Sequence, residues 1–168
     1  SSNATKILEW SFARRDKVLF FPDQHLGRWS GHKMGIPLED MVLWDWDQPL
    51  GGLTPEQIRK AKIILWKGHC SVHQMFTPAN IQRFRQEHPD GLVISHPECS
   101  FEVCELSDYV GSTEYIINTI AAAKPDEQIE VLALEARRAG RRRRVGEPDM
   151  GGTERGRIAA QGRQPLKQ

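Results

Sequence analysis

The strongest candidate for chemistry is a cysteine with a histidine on either side. Cys70 lies between His69 and His73, directly after a short apolar run. This position predicts a thiol in a loop at the end of a strand. The two imidazoles could lower the pKa of the thiol or join it on a metal ion. The spacing matches no standard zinc motif, so a packed and unreactive thiol is the commoner alternative.

A histidine and a glutamate two residues apart form a second candidate. The segment His96-Pro97-Glu98-Cys99 also follows an apolar run. Side chains two residues apart on an extended segment point to the same side. His96 and Glu98 could therefore act as an acid–base pair or hold charged groups of a substrate. The structural alternative is a helix start that places the acid near the positive end of the helix.

Two further polar segments follow apolar runs. Gly111-Ser112-Thr113 precedes a helical pattern. Its hydroxyls and free backbone N–H groups suit a phosphate or a carboxylate, although N-capping is the more common use of such residues. The segment 23–28 is the other: either it binds a ligand, or Asp23 caps the next helix.

Short apolar runs alternate with helical patterns over the first 125 residues. The runs 18–22, 63–66, 92–95 and 109–111 predict strands, the first of them buried on both faces. Helices are predicted to start at Thr54-Pro55 and Thr77-Pro78 and to cover 101–107 and 114–122. This alternation predicts an α/β fold with short parallel sheets covered by helices. Ligands gather at the carboxyl ends of such strands, where the polar segments fall.

The composition gives no sign of a nucleic-acid-binding or membrane protein. Residues 1–124 carry 13 basic and 15 acidic side chains, which gives no reason to expect nucleic-acid binding. An apolar run of roughly 18 residues, the length a membrane helix needs, does not occur, so we expect no membrane association and a cytoplasmic location. The odd set of three cysteines favours thiol or metal chemistry over disulfides.

Taken in chain order, these segments resemble the quinolinate synthase family. The family pattern Ser-x-Asn-Ala, Pro-Asp-x-x-Leu-Gly, Gly-x-Cys-x-Val-His, His-Pro-Glu-Cys and Gly-Ser-Thr matches residues 1–4, 22–27, 68–73, 96–99 and 111–113. The resemblance extends to about residue 125. It implies three similar three-layer αβα domains around a central site.

The resemblance also implies a cofactor and a reaction. A 4Fe-4S cluster on three cysteines, one from each domain, leaves one iron open as a Lewis acid. The substrates are iminoaspartate and dihydroxyacetone phosphate, and the product is quinolinate, a precursor of NAD.

The same resemblance implies roles for individual residues. Cys70 matches the cluster ligand of the middle domain. Glu98 matches a general base, and His96 a group that contacts a substrate carboxylate or hydroxyl. The remaining substrate contacts implied by the family pattern are Ser1, Asn3, Ser112 and Thr113.

The chain also departs from the family pattern. It lacks an initiating Met, and the first family domain is expected before Ser1. We predict residues 1–68 as the middle αβα domain and 69–125 as an incomplete last domain. Residues 126–168, which include four consecutive arginines from Arg141, are interpreted as a disordered tail or as a shifted reading frame. With one of the three cluster ligands, this fragment alone is expected to be inactive.

Two other functions remain open from the residues alone. One is a non-catalytic α/β domain that binds phosphate at Gly111 to Thr113. The other is a Cys-dependent hydrolase, with Cys70 as the nucleophile and His73 or His96 as the base.

Overall fold

Two short parallel sheets organise the protein. The computed structural model describes residues 2–124 and 127–132, which contain six α-helices and six strands. The strand orders are β1-β3-β2 in the first sheet and β5-β4-β6 in the second, with all pairs parallel. This arrangement confirms the predicted α/β class. The helices are α1 (Ala4–Phe12), α2 (Gln24–Lys33), α3 (Pro55–Lys60), α4 (Pro78–Glu87), α5 (Phe101–Leu106) and α6 (Thr113–Ala122), and the strands are β1 (Val18–Phe20), β2 (Met41–Trp44), β3 (Ile63–Trp66), β4 (Leu92–Ser95), β5 (Tyr109–Val110) and β6 (Ile129–Leu132).

The first sheet is built around β3. Ile63 and Leu65 on this central strand are fully buried and pack with Leu8 of α1 and Met41 of β2. The prediction that the first apolar run is buried on both faces was wrong. Leu19 is 53% exposed, because β1 is an edge strand with one open face.

Helix α2 packs against this sheet through two glycines. A Cβ on Gly27 would come within 2.6 Å of the side chains of Phe20 and Leu65, and one on Gly31 within 2.5 Å of Met41 Sδ. Each glycine costs a helix about 1 kcal/mol relative to alanine. Here the missing side chain is what allows the helix to rest against the strands.

The second sheet is built around β4, which pairs with β5 on one side and β6 on the other. Val93 and Leu132 are fully buried, on strands that neighbour each other. Strand β6 falls inside the segment 126–168 that was interpreted as a tail. Residues 129–132 are therefore part of the fold, while the arginine-rich stretch lies outside the described residues.

Helices α2 and α5 join the two sheets. The ring of Phe101 lies 5.0 Å from that of His32 and 5.9 Å from that of Trp29, measured between centroids. Trp29 also packs against the core of the second sheet. These aromatic contacts pack α2, which lies on the first sheet, against α5 of the second.

Both predicted helix starts with a threonine cap are confirmed. Thr54 Oγ1 accepts a bond from the Gln57 N–H at 3.1 Å, and Gln57 Oε1 accepts one from the Thr54 N–H at 2.8 Å. At the start of α4, Asn80 Oδ1 accepts hydrogen bonds from the Thr77 N–H at 2.8 Å and from Thr77 Oγ1 at 2.9 Å. Over the part of the chain described here, every helix is too short or too polar to cross a bilayer.

Candidate functional site

A buried aspartate ties together the loops that follow β1 and β3. Asp23 Oδ1 accepts a hydrogen bond from the Leu26 N–H at 2.8 Å, which caps α2. Its Oδ2 accepts one from the Cys70 N–H at 2.9 Å. The sequence left open whether Asp23 caps a helix or binds something. It caps the helix and, with its second oxygen, fixes the backbone that carries the thiol.

The same two loops are in close contact at Gly68. The Gln24 N–H donates to the Gly68 carbonyl oxygen at 2.9 Å. A Cβ on Gly68 would overlap the carbonyl oxygen of Pro22. Only glycine permits this close approach, so the position of the segment leading to Cys70 depends on it.

Three different metal-binding side chains converge where the two sheets meet. One ligand atom each from Cys70, His73 and Glu98 lie within 4.8 Å of one another. His73 Nδ1 is 3.2 Å from Glu98 Oε2. Apart from this contact, the buried Nδ1 has no hydrogen-bond partner among the described residues. His73 is only 7% exposed, whereas Cys70 and Glu98 are half-buried.

His96 extends this group on the side of the second sheet. Its ring stacks on that of His73, with centroids 4.5 Å apart and planes 11° from parallel. Its Nδ1 accepts a hydrogen bond from the Glu98 N–H at 3.3 Å and lies 3.9 Å from Glu98 Oε2. The prediction that His96 and Glu98 point the same way is confirmed. The alternative that Pro97-Glu98 begins a helix is wrong, because α5 begins at Phe101 behind a Ser100 cap.

Burial and neighbours set the charge of this pair. Burial lowers the pKa of the His96 imidazole to about 4, and the adjacent His73 ring acts in the same direction. The contact with His73 lowers the pKa of the Glu98 carboxyl, in spite of its partial burial. At neutral pH the site therefore contains a neutral His96 beside an ionised Glu98. A carboxylate in this state can accept a proton but cannot act as an acid.

The other two cysteines are packed away from the site. Cys99 and Cys104 are each 1% exposed. The Cys99 Sγ–H points at the Leu132 carbonyl oxygen at 3.4 Å, and the Cys104 Sγ–H at that of His96 at 3.7 Å. Burial raises the pKa of both thiols to about 12. Cys99 and Cys104 are enclosed in the core, whereas Cys70 is half-buried in its loop.

The other residues predicted to contact substrate lie at the starts of two helices, except for Ser1. Ser112 Oγ accepts a hydrogen bond from the Tyr115 N–H at 3.3 Å, so it caps α6. Thr113 is half-buried at the start of that helix. Because the Gly111 N–H donates to the Ser95 carbonyl oxygen at 3.1 Å, this turn lies beside the residue that precedes His96. Asn3 is exposed at the start of α1 with no capping bond from its side chain. Ser1 lies outside the described residues.

Two residues of the site were not assigned to it from the sequence. His73 belongs to the quoted segment 68–73, where it was considered as a group that lowers the pKa of Cys70 or joins it on a metal, or as the base of a hydrolase, but not as a neighbour of Glu98. The turn Val72 to Met75 brings its ring against His96 and Glu98, which sequence spacing does not reveal. Asp23 was recognised as a cap, but its second bond, to Cys70, spans 47 residues.

The three cysteines do not by themselves fit a 4Fe-4S cluster, which is held by several thiolates. Cys70 is placed to supply one of them. Cys99 and Cys104 donate to backbone carbonyl oxygens in the core. The donors that surround the Cys70 thiol are instead an imidazole and a carboxylate.

Fold and site together define an α/β protein with a candidate metal and acid–base site between two short parallel sheets. A family model described as "Quinolinate synthetase A protein" matches residues 1–136. The chain therefore belongs to the quinolinate synthetase A family, as its motifs predicted.

Curated relatives agree with this assignment. The quinolinate synthase of Acidobacterium capsulatum is 53% identical over 123 residues, which is 73% of this chain and 33% of the relative. That of Bacillus subtilis is 52% identical over 125 residues, again 73% of this chain and 33% of the relative. That of Geobacillus kaustophilus is 49% identical over 129 residues, or 76% and 35%. The chain thus spans about a third of the length of the relatives it matches.

Proposed function

We propose that this chain forms part of a quinolinate synthase, which condenses iminoaspartate with dihydroxyacetone phosphate to give quinolinate for NAD biosynthesis. One observation carries the proposal. Cys70, His73 and Glu98 bring ligand atoms within 4.8 Å of one another, so two of the family motifs, far apart in sequence, share one site. A cytoplasmic location belongs to the same proposal.

In this proposal Glu98 removes the protons that leave with water as the pyridine ring forms. The contact with His73 keeps it ionised, and a general base of this kind contributes about 10²- to 10⁴-fold to a rate. The neutral His96 would contact a substrate carboxylate or hydroxyl. Because Glu98 N–H occupies its Nδ1, the proton of the neutral ring is on Nε2.

Substrate contacts are proposed for residues in two segments of the chain. Ser112 and Thr113 would contact the phosphate or a carboxylate from the turn beside β4. Ser1 and Asn3 would contact substrate from the segment before α1. Cys70 would supply one thiolate of the 4Fe-4S cluster, whose open iron acts as a Lewis acid when it is bound.

A chimera tests the proposal. Residues 2–124 of this chain would replace the aligned segment of the Bacillus subtilis relative, to which this chain is 52% identical over 125 residues. We expect the anaerobically reconstituted chimera to bind a 4Fe-4S cluster and to form quinolinate, measured by chromatography. Glu98→Gln should lower kcat by about 10²- to 10⁴-fold without loss of the cluster.

Glu102→Gln is the matched control, because Glu102 is an exposed glutamate on α5 four residues away. It should leave kcat within about twofold, as expected for a substitution that removes no transition-state contact. A chimera that binds the cluster but forms no quinolinate would contradict the proposal. Full activity of the Glu98→Gln chimera would contradict the role of Glu98.

A further inference from the structure

Arg28 of α2 is half-buried but lacks a hydrogen-bond or ion-pair partner among the residues that the structure describes. Its guanidinium carries five N–H donors and keeps its charge in proteins. Burial lowers the pKa of this group, and the charge of Glu102 acts in the opposite direction. A cation is therefore partly removed from water without a direct contact that compensates for the loss of hydration, which is costly.

His25 presents a second unpaired polar atom on the same face of α2. Residues three and four apart on a helix are neighbours, so His25 and Arg28 share a stripe with Trp29 and His32. That stripe is turned toward α5, because the rings of Trp29 and His32 contact Phe101. The enclosed His25 Nδ1 has no hydrogen-bond partner within residues 2–124 and 127–132, and a buried polar atom in this state is unfavourable.

We propose that Arg28 and His25 bind a small oxyanion, a phosphate or a carboxylate, beside the junction of α2 and α5. A guanidinium suits such a ligand, since its parallel N–H donors can bind two oxygens of one phosphate or carboxylate. The imidazole of His25 donates a further hydrogen bond from Nδ1. This inference does not rest on the proposed function, because it uses neither Cys70 nor Glu98.

Two acidic side chains lie near this pair, and neither forms an ion pair with Arg28. Both carboxylate oxygens of Asp23 already accept backbone hydrogen bonds. Glu102 is exposed, so water and salt screen its charge. On the other side, His69 is close enough for its charge to act on His25. An oxyanion from solution is therefore the partner that Arg28 lacks.

The pair is placed where a small molecule can reach it. His25 and Arg28 are half-buried rather than enclosed in the core. They lie in the first turns of α2, which follows the carboxyl end of β1, and ligands of parallel sheets approach from that edge. His69, in the loop after β3, is exposed at the same edge. An anion can therefore approach Arg28 from solvent without separating the two helices.

An NMR titration of the whole 168-residue chain tests the inference. The arginine Nε–Hε signals are followed while sodium phosphate or sodium succinate replaces sodium chloride at constant ionic strength. We expect the Arg28 signal to shift and to saturate with a Kd on the order of 1 mM for at least one of the two anions, as two hydrogen bonds to a charged group allow. Saturation by phosphate alone identifies a phosphate site, and saturation by succinate identifies a carboxylate site.

Arg28→Met removes the donors but keeps an apolar side chain in place of the arginine stem. It should weaken binding of the same anion by about tenfold or more, measured on the ring signals of His25. Arg83→Met is the matched control, because Arg83 is an exposed arginine of α4 without a hydrogen bond or ion pair in the described part of the chain. Its Kd should stay within about twofold of the unmodified chain.

Arg28→Lys serves if Arg28→Met does not fold. It keeps the charge but loses the planar fork, so it should weaken binding by about threefold or more. The inference is wrong if neither anion shifts the Arg28 signal, or if Arg28→Met and Arg83→Met lose the same affinity. The chimera experiment is separate, since anion binding is measured on this chain and needs no turnover.

Discussion

At the scale of single residues, the three cysteines differ because of their surroundings. Cys70 lies in a strand-end loop and is half-buried, whereas Cys99 and Cys104 are each 1% exposed. Burial also raises the pKa of the latter two thiols to about 12. Because the thiolate is the reactive form, they remain protonated and unreactive at neutral pH.

Thiol labelling should separate the three. With a chromogenic disulfide reagent at neutral pH, the native chain should release one equivalent of chromophore rapidly, and all three thiols should react after unfolding in guanidinium chloride. Cys70→Ser should eliminate the rapid phase. Two or more rapidly reacting thiols in the native chain would contradict the packing described for Cys99 and Cys104.

The sequence predicted several individual site residues because their motifs are contiguous. His96 and Glu98 are two residues apart, so strand geometry alone indicates that they share a side. Cys70 was recognisable from its position after an apolar run. The position of His73 against Glu98 could not be predicted in this way. It depends on where a turn after β3 meets a loop after β4, which only tertiary packing determines.

At the scale of helices and strands, strands β2 and β6 were not predicted from the sequence. Strand β2 is an apolar run of four residues, Met41–Trp44, that was not among the predicted strands. Strand β6 carries a glutamate and precedes the arginine-rich stretch, so its pattern is weak. Both become strands because they pair with a buried central strand, β3 or β4. Helix α2 was considered only as the helix that Asp23 would cap. Gly27 and Gly31 have low helix propensity, and their missing side chains allow α2 to pack against the first sheet.

Substitution of Leu132 tests the place of β6 in the core. This side chain is fully buried against the second sheet, so Leu132→Ala should lower the free energy of unfolding by about 2–5 kcal/mol. Leu19→Ala is the control, because Leu19 is 53% exposed on edge strand β1, and it should cost less than about 1 kcal/mol. Urea denaturation followed by circular dichroism measures both. Equal, small effects would show that β6 does not pack as described.

At the scale of the whole molecule, the site exists because two sheets present their carboxyl edges to each other. Cys70 and His73 follow the first sheet, and His96 and Glu98 follow the second. The aromatic contacts of α2 with Phe101 hold the sheets together beside this junction. The fold class followed from alternating patterns in the sequence, because alternation is local information. The junction between the sheets could not be predicted in this way, because its contacts join residues that are far apart in the sequence and belong to no common pattern.

A cross-link between the two sheets tests the central claim most directly. In a Glu98→Cys variant, the new thiol should lie close enough to Cys70 for both to bind one molecule of phenylarsine oxide, which bridges neighbouring thiols. Mass spectrometry should then show one bound arsenical per chain that survives a wash with a monothiol, and Glu98→Cys/Cys70→Ser should lose it. If the Glu98→Cys variant retains no more arsenical than the unmodified chain, the Cys70 sulfur does not face Glu98, and the proposed site does not exist.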